Sequence, residues 1–336
     1  MLLFEGRFGG EVYRPVGMDW FTEGYWKIND KEDTAKQFLG MDQVYIPTDG
    51  TPPLNIGHAD PVEHGTFHCM DPGAMSAHRA CTLEYFKSTQ FDYVIASIPD
   101  HVEAFEELIE KYQPKAKLII QMGNNWNISQ YEGKNVMASM KFDPKEVEDV
   151  NAIMYHQEFD RSIFYSTEAA PSRKIYSFVN CIKEMPQAWS DYQEMKEILE
   201  PQDFILNSFG GQCPDGNMNG PKDLAQAMWR SQMVFHVKPG GDGFGHIIHN
   251  AYACGRPVIT RKSFYAGQLA ENLMVSGTFI DIDDLGVEGA AQTVVAITED
   301  PDILKEMGEK AANRFNQVVD YVEEAKDIRE WLEQLN

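Results

Sequence analysis

The sequence is poor in positive charge. Its 336 residues include 29 lysines and arginines against 52 aspartates and glutamates, which gives a formal net charge of −23 at pH 7. Non-specific binding to duplex DNA or to an anionic membrane surface requires clustered basic residues. We therefore expect neither kind of binding from the chain as a whole, although a local basic groove is compatible with this balance.

Paired cysteines and long apolar runs are also missing. The five cysteines are an odd number and include no Cys-x-x-Cys spacing, which favours a reducing compartment over a disulfide framework. The first apolar run is too short for a signal peptide, and no stretch approaches the roughly 20 residues of a membrane-spanning helix. We expect a cytoplasmic protein with no membrane segment; the oligomeric state is left open.

The sequence does contain an alternation of short apolar runs with helical spacing. In the first half, residues 93–98 and 117–122 are predicted strands on either side of a helix over 101–112. This strand–helix–strand order implies a parallel sheet. A further short strand is predicted over residues 2–5, running into Gly9 and Gly10.

A second series of alternating elements begins near residue 174. The predicted strands cover residues 175–182, 204–209, 233–237, 257–260 and 279–282. The predicted helices cover residues 191–199, 222–231 and 244–254, with one long or two short helices after Pro301. Such alternation is typical of a doubly wound α/β domain, and the length favours two domains. We expect domains over 1–165 and 166–318, and a helix over 319–336 that packs back on the first domain.

The candidate chemistry is concentrated in residues 238–259, which follow the order strand, glycine-rich loop, helix, strand. Glycines at 240, 241, 243 and 245 would let a ligand approach the backbone, and the free N–H groups of the helix start suit a diphosphate. Neither the G-x-G-x-x-G nor the G-x-x-x-x-G-K-[ST] spacing is present, which argues against nicotinamide and P-loop sites. The apolar stripe of this helix predicts that His249 and Asn250 lie on its other side, with His249 as a solvated surface residue.

This segment resembles the C-terminal domain of GT-B-fold glycosyltransferases, particularly the retaining enzymes that use nucleotide-diphosphate sugars. Their motif is Glu-Gly-Phe-Gly, four further residues, then Glu-Ala-Met-Ala-x-Gly-x-Pro-Val-Ile, and it aligns with residues 242–245 and 250–259. The resemblance covers residues 174–300. It implies two Rossmann-like α/β domains of the GT-B type with an interdomain cleft and C-terminal helices. It also implies sugar transfer with retention, no cofactor and no essential metal.

The resemblance also implies roles for single residues. Asp242 would contact the hydroxyls of the transferred sugar and Asn250 the ribose, although the family has glutamate at both positions. The family has an arginine and a lysine that bind the diphosphate. The aligned stretch of this sequence offers only Lys183, and Lys238 or Arg261 would take the place of the missing cation. The other expected donor-binding residues are Gly9, Gly10, Gly243, Phe244, Gly245 and His246.

In the first half, Asp100 and His101 follow a predicted strand, at the edge where α/β sheets bind ligands. Histidine exchanges protons near neutral pH, so we predict a catalytic pair; the alternative is a helix cap followed by a surface histidine. A metal site at His64, His68 and Cys69 is less favoured than a polar loop, because neighbouring glycines and a proline interrupt any helix.

Three functions are compatible with these observations. The first is a hexosyl- or pentosyltransferase that uses a nucleotide-diphosphate sugar, often a UDP-sugar. The second is a GT-B-like binding protein that has lost catalysis, and the third is a sugar-nucleotide epimerase of the same architecture. The acceptor is open: a small molecule, a glycan, a protein or a modified DNA base, since DNA-base glucosyltransferases share the GT-B fold.

Overall fold

The computed structural model describes most of the chain. The described residues are 2–15, 59–63, 66–71, 76–81, 83–97, 102–123, 127–143, 147–169, 171–242 and 245–335. Four predicted site residues lie outside them, namely Asp100, His101, Gly243 and Phe244. His64 lies outside them as well.

The strand predicted over residues 2–5 is wrong, because Leu2–Arg7 form a π-helix. The N–H of Phe8 donates to the carbonyl of Leu3 at 3.1 Å, five residues back. Leu3, Phe4 and Phe8 all pack on the same apolar cluster, whereas a strand would turn the neighbours Leu3 and Phe4 to opposite faces. Gly9 and Gly10 therefore follow a helical turn rather than a strand.

A small sheet comes next in the chain. Its strands are β1 (Tyr13–Pro15), β2 (Ala59–Glu63), β3 (Thr66–Asp71) and β4 (Ser76–Cys81), in the order β1-β4-β3-β2. Only β1 and β4 are parallel. The polar loop expected around His68 is wrong at this position, because residues 68 and 69 pair with residues 79 and 78 of β4. The β-favouring residues Thr66 and Phe67 begin that strand.

The first parallel sheet follows. Its elements are α1 (Leu83–Ser88), β5 (Tyr93–Ala96), α2 (Val102–Tyr112), β6 (Lys117–Met122), β7 (Asn135–Ala138) and β8 (Asn151–Met154). The strands are parallel in the order β5-β6-β7-β8, which confirms the predicted strand–helix–strand unit. The sequence analysis missed β7 and β8, since both have four residues and begin with asparagine, a residue depleted in strands.

The second parallel sheet confirms the predicted alternation. Its elements are β9 (Lys174–Ser177), α3 (Pro186–Leu199), β10 (Ile205–Ser208), α4 (Pro221–Arg230), β11 (Met233–Phe235), α5 (His246–Ala253), β12 (Val258–Thr260) and β13 (Phe279–Asp281). All pairs are parallel, in the order β10-β9-β11-β12-β13. The strand order reverses between β9 and β11, and open α/β sheets bind ligands at the carboxyl ends of the strands at such a point.

Three helices end the described chain. They are α6 (Ile282–Glu299), α7 (Pro301–Val318) and α8 (Tyr321–Gln334). The last two were predicted, whereas α6 was missed; Gly286 interrupts it with a φ of 67°. Within the described residues, no helix combines the length and apolarity needed to cross a membrane.

Helix α8 packs against the first parallel sheet, although the two are far apart in the sequence. Ile328 and Trp331 pack in one buried cluster with Ile119 and Met137. The indole N–H of Trp331 also donates to Oδ1 of Asn151 at 2.9 Å. The face of β6 and β7 that meets α8 is therefore covered by residues more than 180 positions further along the chain.

Candidate functional site

The loop after β11 holds a buried carboxylate. Nε2 of His236 lies 3.0 Å from Oδ2 of Asp242, and Nζ of Lys238 donates to Oδ1 at 2.6 Å. The side chain of Asp242 is 13% exposed. Burial alone would raise the pKa of Asp242, but the charges and hydrogen bonds of His236 and Lys238 together lower it well below the ordinary value. Asp242 is thus a fixed anion whose two oxygens are each oriented by one partner.

His236 was not predicted from the sequence as a site residue. Its side chain is 1% exposed, and it directly follows the apolar strand β11. Its Nδ1 atom is buried and has no hydrogen-bond partner within the described part of the chain. The sequence does mark this residue, as the single polar residue within the apolar run 233–237. It lies at the carboxyl end of a strand, where α/β sheets bind their ligands.

A second missed residue, Gln268, holds the same loop. Its Oε1 accepts from the N–H of Asp242 and its Nε2 donates to the carbonyl of Gly240, both at 3.2 Å. Gly241 has a φ of +81°, and a Cβ built there would lie 1.5 Å from Nε2 of Gln268. The loop therefore needs glycine at 241 both for its backbone conformation and for space. Nothing in the sequence marks Gln268 as its partner.

We expect Gly241→Ala to weaken donor binding and to lower the free energy of unfolding by about 1–3 kcal/mol more than Gly240→Ala does. Gly240 also has a positive φ, of +76°, but no atom lies within 4 Å of a Cβ built there. The two variants share the backbone cost and differ in the clash with Gln268. Urea unfolding and nucleotide titration would check this difference; equal losses in both variants would refute the role of Gln268.

Helix α5 begins at this loop without a side-chain cap. Its N-cap residue is Gly245, in the left-handed conformation with a φ of 65°. The first residue of the helix, His246, contacts Oε1 of Gln157 through Nε2, and burial lowers its pKa. The structure thus brings four predicted residues together, Asp242, Lys238, Gly245 and His246, at a helix start whose N–H groups attract anions.

The prediction that His249 is a solvated surface residue is wrong, because it is only 4% exposed, and Asn250 is buried to the same extent. Helix α5 packs on more than one side: the ring of His249 lies 5.2 Å from that of His156 and 6.4 Å from that of Phe315. Oδ1 of Asn250 is buried and has no partner among the described residues. Asn250 therefore remains available for a ligand hydroxyl at the position that the motif implies.

We expect the free energy of unfolding to fall as the pH drops from about 6.5 towards 4, by about 1.4 kcal/mol per pH unit from His249 alone. Burial, reinforced by the charge of His156, lowers the pKa of His249 to about 3. The unfolded state therefore binds a proton in this window that the native state does not. The groups that act on His249 are His156, His246 and Asp242, with Glu324 behind His156.

Urea unfolding at pH 7, 6 and 5 would measure how the free energy of unfolding changes with pH. The variant His249→Gln should reduce this slope by about 1.4 kcal/mol per pH unit, the contribution of one proton. Gln keeps a donor for the carbonyl of Gly245, which accepts from Nδ1 of His249 at 2.8 Å. The slope, rather than the absolute stability, is the decisive quantity. An unchanged slope in the variant would show that His249 is not the titrating group.

The predicted phosphate-binding cations differ in their surroundings. The guanidinium of Arg261 forms a two-point contact with Asp191 at 2.6 and 3.0 Å and a third contact with Asp283 at 3.1 Å. These contacts raise the pKa of Arg261. Its guanidinium is already paired with two carboxylates. Lys183 is exposed, with Nζ 5.8 Å from the ring of Trp189. Lys238 and Lys183 are the first lysines to follow the carboxyl ends of β11 and β9 in sequence.

The described residues contain no group of three or more His, Cys, Asp or Glu side chains placed to hold a metal ion. Independence of metal ions stays a prediction. Gly9 and Gly10, predicted to approach the donor, follow the N-terminal π-helix, which ends at Arg7, and Gly10 lines a cavity beside the first parallel sheet.

Several solved structures resemble this chain in fold. No protein-family model and no curated protein matches the sequence. Alr3699/HepE from Anabaena, solved with UDP and glucose, is 14% identical over 72% of this chain and 78% of that chain, with a TM-score of 0.55. TarM from S. aureus, solved as a variant with UDP and alpha-GlcNAc-glycerol among its ligands, is 11% identical over 80% and 62%, with a TM-score of 0.56. A glycosyltransferase from Rickettsia africae is 14% identical over 72% and 76%, at 0.52.

At these identities the likeness establishes the fold. The chain is an α/β protein with the parallel sheets of these structures, and the likeness supports the resemblance to GT-B glycosyltransferases that the motif over residues 242–259 indicates.

Proposed function

We propose that the protein transfers a sugar from a nucleotide-diphosphate sugar to an acceptor hydroxyl, with the donor bound at the carboxyl ends of β9 and β11. One observation carries the proposal: His236 and Lys238 fix Asp242 as a buried anion directly before the uncapped start of α5. A carboxylate that accepts from sugar hydroxyls and a helix start that binds phosphate then stand side by side.

The chain's own groups account for the chemistry of such a transfer. The bond between the anomeric carbon and the diphosphate oxygen breaks, a bond to the acceptor oxygen forms, and the acceptor's proton leaves with the diphosphate. Negative charge grows on the diphosphate, where the N–H groups of α5, Lys238 and Lys183 stabilise it. Asn250 lies four residues after His246 in α5, a helical rise of about 6 Å, and its buried Oδ1 is the atom that we assign to the ribose hydroxyls.

The proposal assigns a separate role to each predicted domain. Residues 1–165 would bind the acceptor, 166–318 the donor, and 319–336 would join the two. The packing of α8 on the first sheet supports this, as does the ion pair of 2.9 Å between Lys141 and Glu271. Asp100 and His101 remain proposed catalytic residues outside the described part of the chain. Retention of configuration follows from the resemblance alone.

A panel of nucleotide sugars, incubated with and without candidate acceptors in EDTA, tests the function. Release of nucleotide diphosphate together with a glycosylated product supports transfer without a metal. Donor binding by calorimetry with no turnover would identify an inactive binding protein. Conversion of the donor into a different sugar nucleotide, with no acceptor product, would identify an epimerase.

A further inference from the structure

A large cavity lies between residues 3–13, α1, the first parallel sheet and α8. Its volume is about 830 Å³, within the range of roughly 300–1,000 Å³ typical of small-molecule sites. Much of its wall is aromatic, including Phe4, Phe8, Tyr13, Tyr85, Phe91 and Tyr93. Such a wall offers stacking surfaces for a flat or apolar ligand.

The described lining of this cavity is acidic and, apart from His156, holds no basic side chain. The described residues that line it include Glu11, Asp92, Glu158 and Glu324 but no lysine or arginine. Nε of Arg7 donates to Glu158 from beside the cavity, at 2.7 Å. A phosphate or carboxylate group inside would lose its hydration next to carboxylates and without a cation. The described part of the wall therefore disfavours anions, a nucleic-acid backbone among them.

His156 supplies a directed polar group in this wall. Its Nδ1 lies 2.6 Å from Oε1 of Glu324 on α8, and a carboxylate can only accept, so Nδ1 carries the proton. With that proton on Nδ1, Nε2 is the nitrogen that accepts a hydrogen bond in a neutral imidazole. This atom is buried and has no hydrogen-bond partner among the described residues, and His156 lines the cavity. A ligand hydroxyl that donates to Nε2 would complete its hydrogen bonding.

The cavity also reaches the candidate donor site. Gln157 lines it and contacts His246, the first residue of α5. The ring of His156 lies 5.2 Å from that of His249 in the same helix. Two consecutive residues thus separate the cavity from the helix whose start is the proposed diphosphate site.

We propose that this cavity binds the acceptor, and that the acceptor is an uncharged molecule with an aromatic body and a hydroxyl group that donates to Nε2 of His156. The role as acceptor rests on the proposed function, whereas the binding preference does not. The aromatic wall, the carboxylates among the described lining residues and the buried Nε2 of His156 each specify one part of this ligand.

Fluorescence titration without any donor tests the preference. The probes are 2-naphthol, 2-naphthoate with the same rings and a negative charge, and 2-methoxynaphthalene, which has no hydroxyl proton. We expect 2-naphthol to bind at least about tenfold more tightly than either, a difference of about 1.4 kcal/mol. Equal or tighter binding of 2-naphthoate, or no binding of 2-naphthol, would overturn the proposal.

A pair of variants locates the binding. Thr89 lines the cavity, whereas the preceding Ser88 is exposed and does not. Thr89→Trp should weaken 2-naphthol at least about tenfold, and Ser88→Trp should leave it unchanged, with similar melting temperatures for both. Equal affinities in the two variants would contradict the location.

The 2-naphthol titration and the panel of nucleotide sugars test the cavity's preference and the proposed function independently. Binding of 2-naphthol with no turnover of any donor would refute the proposed function and leave the cavity's preference standing. Transfer to an acceptor while 2-naphthol fails to bind would refute the acceptor class and leave the transferase.

Discussion

Replacing Asp242 with alanine should lower the rate of sugar transfer by about 10²–10³-fold or more, which is the loss typical of removing one preorganised polar group from an active site. The carboxylate is 13% exposed and each of its oxygens has a partner, so it cannot adapt by moving when the substrate arrives. The expected loss falls on the turnover number more than on nucleotide affinity, because the sugar is the part that it contacts.

The measurement is steady-state release of nucleotide diphosphate, with UDP or another nucleotide titrated separately by calorimetry. Asp284→Ala is the control, since Asp284 is an exposed aspartate in α6. Asp242→Asn refines the test: it keeps the shape but loses the charge that His236 and Lys238 compensate. Turnover in Asp242→Ala within a factor of about two of the wild type would remove Asp242 from the mechanism.

Replacing Arg256 with methionine should lower the free energy of unfolding by about 3–5 kcal/mol, because several buried carbonyls lose their donor at about 1–3 kcal/mol each. The Arg256 side chain is fully buried. Its guanidinium donates to the carbonyls of Met228 and Thr167, each at 2.9 Å, and to that of Glu168 at 3.0 Å. Further bonds go to the carbonyls of Trp229, Cys254 and Gly255 and to the hydroxyl of Thr167.

All of these acceptors are uncharged, and burial accordingly lowers the pKa of Arg256 to about 10. The residue therefore acts as a connector of three segments: the end of α4, the turn after α5 and residues 167–168. Methionine would fill similar space but leave the buried carbonyls without donors, and each such group costs about 1–3 kcal/mol.

Thermal and urea unfolding of Arg256→Met, Arg256→Lys and Arg230→Met would measure this role. Lysine keeps the charge but brings three donors instead of five, so it should recover only part of the loss. Arg230 is exposed in the last turn of α4, and its replacement should change stability by less than about 0.5 kcal/mol. A similar stability for Arg256→Met and Arg230→Met would contradict the connector role.

The second parallel sheet could be predicted from sequence because its apolar runs alternate with helices over the whole stretch 174–260. Local periodicity and glycine punctuation are short-range signals, and they gave Asp242, Lys238, Gly245 and His246 a common loop. The extent of β9 was overestimated, since Cys181 adopts a φ of 54° that no local pattern announces.

The partners of the site could not be predicted in this way. Gln268 and Gln157 reach the loop from 26 and 89 residues away in sequence, and pairing at such distances depends on tertiary packing. The burial of His249 depends likewise on His156 and Phe315, which periodicity within α5 cannot reveal. The same applies to the π-helix at residues 2–7, which is stabilised by a cluster on α8.

The position of α8 has a consequence for synthesis. Ile328, Trp331, Leu332 and Leu335 complete the apolar cluster on β6 and β7, yet they emerge from the ribosome after every strand of both parallel sheets. The part of this face that α8 covers therefore stays exposed while some 170 further residues are made, roughly ten to thirty seconds at ordinary elongation rates. A nascent chain of this kind is a natural client for a chaperone that shields apolar surface until translation ends.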